Sequence, residues 1–120
     1  MPQLSIDTIF EAAIRIQVLE EEALSVVFTP DGISIKFPTT RRLADELGVP
    51  HYYVLPYFAM MEQDMLVTRA ERVGIMTTHE GSRKFIAMLG GWYHDRAASL
   101  LGPVIFAEIQ KRMGVGESDE

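Results

Sequence analysis

Residues 38–66 read PTTRRLADELGVPHYYVLPYFAMMEQDML, and two punctuation marks near the middle, Gly48 and Pro50, narrow the fold more than any other feature. Glycine suits the left-handed position just past a helix end, and proline is tolerated at a helix start. The stretch therefore holds two helices separated by a tight turn. Leu43, Ala44 and Leu47 recur at helical spacing in the first. Val54, Phe58 and Met61 share one face of the second.

The flanking segments add elements of both kinds. SIDTIFEAAIRIQVLEEEA has Ser5 and Asp7 as candidate caps and no glycine or proline, so residues 5–23 form a helix. Its apolar residues, from Ile6 to Leu19, cover more than the roughly 100° stripe a surface helix needs, which implies a second partner such as another copy of the chain. Glu20 to Glu22 read as a solvated face. Residues 24–37 alternate around TPDG, a turn signal, and form a β-hairpin with Ile33, Ile35 and Phe37 on one face. A second hairpin, residues 66–78, turns near Glu71 to Gly74. Thr77 and Glu80 have capping-box spacing, with Thr78 as an equal candidate cap, ahead of a further helix. Gly102 and Pro103 kink or divide the helical stretch that ends near Met113, and residues 114–120 are an acidic tail.

Composition removes several function classes. The 120 residues include no cysteine, which excludes disulfides, thiolate catalysis and cysteine-bound zinc. His51, His79 and His94 lack metal-ligand spacing, and no phosphate-cradling glycine loop, nucleophile elbow or legible triad is present, so neither a metal or other cofactor nor an enzyme is expected. No apolar run approaches the roughly 20 residues of a membrane span, and the start lacks a secretory signal, which points to the cytoplasm. The net charge of −6 opposes nucleic-acid binding at first sight. Residues 36–84, however, hold seven basic and six acidic side chains, while the flanks hold four and eleven. A near-neutral middle between acidic ends accommodates a local basic patch.

The order helix, hairpin, helix, tight turn, helix, β-hairpin, helix resembles the winged helix-turn-helix family of small MarR-like and PadR-like regulators. The resemblance is carried by TTRRLADELGVP, VPHYYVLPYFAMMEQDMLVTR and IMTTHEGSRKFIAML, and covers residues 38–89 best. It implies an α+β, mainly α fold: a helix-turn-helix over 39–65, a wing over 66–78, and added helices at 5–23 and 79–113 for dimerisation. It also implies a homodimer that binds double-stranded DNA at an inverted repeat and regulates transcription. On this sequence the implied phosphate contacts are Thr40, Arg41 and Arg42, the base-facing residues His51, Tyr52, Tyr53 and Tyr57, and the wing contacts Arg69 and Arg72. The implied dimer interface comprises Ile6, Phe10, Ile14, Trp92, Leu101, Ile105 and Ile109.

The chain departs from that pattern where specificity is read. Pro56, Ala59 and Met60 lie opposite the buried side of the second helix, and none makes the paired hydrogen bonds that distinguish bases. Pro56 also removes a helical donor, at about 3 kcal/mol in a continuous helix, so the helix bends there or begins there. Met65 stands where the family usually has a glycine in a left-handed turn. Plainer roles compete for the same residues. A tyrosine of this group packs on a neighbouring helix, one of Arg41 and Arg42 pairs with Asp45 or Glu46, and Arg69 and Arg72 keep a hairpin edge soluble. An alternative function follows: a winged-helix module that contacts a protein partner through a surface including Tyr57 and Met60.

Overall fold

The computed structural model describes residues 3–113 apart from Asp31. The expected acidic tail, and Asp31 within the first hairpin turn, lie outside the described residues. The protein is mainly helical with one small antiparallel sheet, an α+β arrangement. In chain order the elements are α1 (Ile6–Ile14), a π-helical turn (Arg15–Glu20), β1 (Val26–Thr29), β2 (Gly32–Phe37), α2 (Thr40–Leu47), α3 (His51–Gln63), β3 (Val67–Ala70), β4 (Gly74–Thr77), α4 (His79–Met88), α5 (Gly91–Leu101) and α6 (Pro103–Met113). No helix among the described residues is long and apolar enough to cross a membrane.

Ser5 caps α1 as expected, in a reciprocal arrangement with Thr8. The helix then widens: the Glu21 amide donates to the Ile16 carbonyl, five residues back, at 2.8 Å. The wider turn brings Ile16, Gln17 and Val18 inside in succession, which a regular 3.6-residue period does not do. Almost the whole apolar surface of this first helix is covered within the chain, because α2, α3 and α4 pack around it and α5 packs on the π-turn. Its breadth therefore needs no second copy. Phe10 and Ile14, expected at a dimer interface, are buried in the core of the chain, as is Ile109 of α6, and these three offer almost no surface to a partner.

The sheet has the order β1-β2-β4-β3. β2 lies inside, with Ile33, Ile35 and Phe37 buried on one face as its alternation predicts. Its ladder with β4 is short, Lys36 opposite Met76 and Phe37 opposite Ile75. Side chains extend it: Thr77 Oγ1 accepts from the Ile35 amide at 2.8 Å, and Ser34 Oγ donates to the Thr77 carbonyl at 2.6 Å. Thr77 is thus a core polar residue bonded also to Ser82, and the cap of α4 is Thr78. Three aromatic rings join the layers, Phe10 against Phe37 at 5.2 Å and Phe37 against Phe58 at 6.4 Å. Gly102 (φ +91°) and Pro103 divide the last helical stretch into α5 and α6.

Candidate nucleic-acid interface

The site is built from α2, α3 and the β3–β4 hairpin. Thr39 caps α2, its hydroxyl accepting from the Arg42 amide at 3.1 Å. At the other end Gly48 is left-handed (φ +68°), and the Val49 and Gly48 amides return to the carbonyls of Ala44 and Asp45 at 3.1 and 3.3 Å. This closure lets only Val49 and Pro50 intervene before α3 starts at His51. Thr40 Oγ1 and His51 Nε2 then lie 2.7 Å apart, a hydrogen bond tying the first turns of the two helices together.

α3 runs without interruption through Pro56, which sits on its exposed side. The interruption considered from the sequence does not occur, because Val54, Phe58 and Met61 hold both halves of the helix on the core. Its open face carries Tyr52, Tyr53, Leu55, Ala59 and Met60, with no cation among them. Tyr52 is 66% exposed and meets Tyr53 edge to face at 5.0 Å. Tyr57 is partly buried and packs against the core. At the helix exit the Leu66 and Met65 amides return to the Met61 and Glu62 carbonyls at 2.8 and 3.1 Å. This repeats the closure of α2, with Met65 (φ +62°) in the place glycine holds there.

The four arginines fall into two classes. Arg42 pairs with Glu20 and stands 3.8 Å from Glu46, which also holds Arg15 at 3.1 Å. Arg69 pairs with Glu62 at 2.9 Å and lies over the Phe58 ring at 5.5 Å. Arg41 and Arg72 are exposed and form no ion pair among the described residues. Arg72 sits at the hairpin tip with φ +68°. An open cleft of about 450 Å³ brings Thr40, Arg69 and Arg72 onto one surface, between the start of α2 and the hairpin.

The sequence left open which of Arg41 and Arg42 pairs with Asp45 or Glu46, and the pair that forms is Arg42 with Glu46. Sequence reasoning missed Glu20, which the run of three glutamates had suggested was merely solvated. It also passed over Lys36, whose outward position follows from the alternation that buries its neighbours Ile35 and Phe37. Of the remaining residues expected at a dimer interface, Trp92 is 58% exposed, Ile105 is exposed, and Ile6 and Leu101 are partly so. Comparison with protein-family models, curated proteins and solved structures finds no match.

Proposed function

We propose that the protein is a winged helix-turn-helix regulator of transcription that binds double-stranded DNA as a cytoplasmic homodimer. The observation that carries this reading is the arrangement of the three elements. Two helices are clamped at their first turns by the Thr40–His51 bond, and the second turns its solvent face outward beside a β-hairpin with an exposed arginine, Arg72, at the tip. The sheet order supports it, since the strand before α2 pairs with the returning strand of that hairpin. In this reading Arg41 and Arg72 supply phosphate contacts, and the first turn of α3, with His51, Tyr52 and Tyr53, faces the major groove. Trp92 and Ile105, with Ile6 and Leu101, join two copies so that two α3 helices sit about 34 Å apart on an inverted repeat. Mobility shift on a pool of random duplexes, at low and at moderate salt, tests the proposal. Retardation that weakens with salt is expected; no retardation at low salt overturns it.

A second reading is favoured by the chemistry of the α3 face. Tyr52, Leu55, Met60 and Met65 are exposed and apolar, and such a surface suits a protein partner better than a polyanion. The two readings separate by substitution. Loss of duplex binding in Arg72→Ala supports the first, whereas a protein complex lost in Met60→Ala and kept in Arg72→Ala supports the second.

A further inference from the structure

A separate cleft of about 360 Å³ opens where the π-turn, β2 and the start of α2 meet. Its lining includes Gln17, Glu21, Ser25, Lys36, Thr39 and Arg42. We infer that this cleft binds a small zwitterion of the α-amino acid class.

Four observations support the assignment. Gln17 is only 5% exposed, and its Nε2 donates to the Lys36 carbonyl at 2.6 Å, which fixes the orientation of the amide. Gln17 Oε1 is left as a buried acceptor with no donor, an uncommon state for a buried polar atom. The lining also divides by charge. Glu21 and Gln17 Oε1 ask for a donor, preferably a cationic one, while Lys36 asks for an anion; Arg42 beside it is already held by Glu20 and Glu46. Lys36 forms no ion pair among the described residues, so a ligand carboxylate meets it without displacing a partner. The volume falls at the lower end of the range for small-molecule sites, roughly 300 to 1,000 Å³, which suits a ligand of amino-acid size. The π-helical widening that carries Gln17 is of a kind often found at functional sites.

A plain carboxylate leaves Glu21 and Gln17 Oε1 without a donor, and a plain amine leaves Lys36 unanswered. A molecule with both groups on one carbon answers both. The site does not depend on DNA binding, and its test reads ligand binding alone.

Isothermal titration calorimetry of the full chain with each of the twenty standard amino acids, singly and up to about 10 mM, provides the test. At least one is expected to bind. Its N-acetyl derivative and its carboxamide should each bind at least about tenfold more weakly. Lys36→Gln and Glu21→Gln, both at exposed positions, should weaken the parent amino acid by a similar factor while leaving the circular dichroism spectrum unchanged. Absence of binding by every amino acid overturns the inference, as does binding that either substitution leaves intact.

Discussion

Gly81, in the first turn of α4, offers a test in which local and tertiary effects have opposite signs. Helix propensity alone predicts that Gly81→Ala stabilises the protein by about 1 kcal/mol. The packing predicts the reverse. A Cβ at this position would stand 1.8 Å from the Leu66 carbonyl oxygen and 2.8 Å from its carbon, both backbone atoms that no rotamer change removes. The start of α4 would have to move off the α3–β3 junction by more than an ångström. That overpacking costs about 1–3 kcal/mol. The same shift strains the 3.0 Å bond from the Thr78 amide to the Leu66 carbonyl, and a donor left unpaired adds about 1–3 kcal/mol. Setting the propensity gain against these terms leaves a net loss of about 1–5 kcal/mol, against a typical stability of about 5–15 kcal/mol. Urea unfolding followed by far-ultraviolet circular dichroism measures it. With an m-value of about 1.5 kcal/mol/M, the midpoint should fall by about 1–3 M. A midpoint equal to or above that of the parent refutes the reasoning, because propensity would then outweigh the contact.

Four further outcomes follow from the geometry. Met65→Gly should stabilise the fold by about 0.5–1 kcal/mol, since relieving a left-handed side chain outweighs the entropy added to the unfolded chain; thermal unfolding would show an unchanged or lower Tm if this is wrong. Thr77→Val keeps the shape but leaves the buried Ile35 amide without its acceptor, so a loss of about 1–3 kcal/mol is expected in urea titration. If the protein binds duplex DNA as a dimer, Arg72→Ala and Arg41→Ala should each flatten the plot of log affinity against log salt by about 2, at roughly 0.9 per phosphate, while Arg42→Ala, already neutralised by Glu20 and Glu46, should leave the slope unchanged. Trp92→Glu together with Ile105→Glu should convert a dimer to a monomer in sedimentation velocity, and an unchanged sedimentation coefficient would place any dimer contact elsewhere.

The candidate interface is partly legible in the sequence. The bounds of α2 and α3 follow from Thr39, Gly48 and Pro50, whose preferences act over a few bonds and need no partner. The β2 face follows from alternation, and the α5–α6 break from Gly102 and Pro103. Which arginines stay free was not legible in full. The Arg42–Glu46 pair sits at helical spacing, but Glu20 reaches the same guanidinium from 22 residues away, across a contact that exists only once the first helix packs. Thr77 illustrates the same limit, since its spacing to Glu80 suggested a cap and the nearness of β2 made it a buried acceptor instead.

By itself, then, the sequence determined where chain segments begin, end and turn, because caps, prolines, glycines and periodicity are steric and hydrogen-bonding preferences of adjacent residues. Only the tertiary structure decided what the surplus apolar surface of the first helix was for. Most of it is spent within the chain, on α2, α3 and α4. Tertiary packing also decided that α3 continues through Pro56 and that Met65 accepts a left-handed turn. In both places burial of Val54, Phe58 and Met61 along one side of the helix outweighs a local penalty of a few kcal/mol.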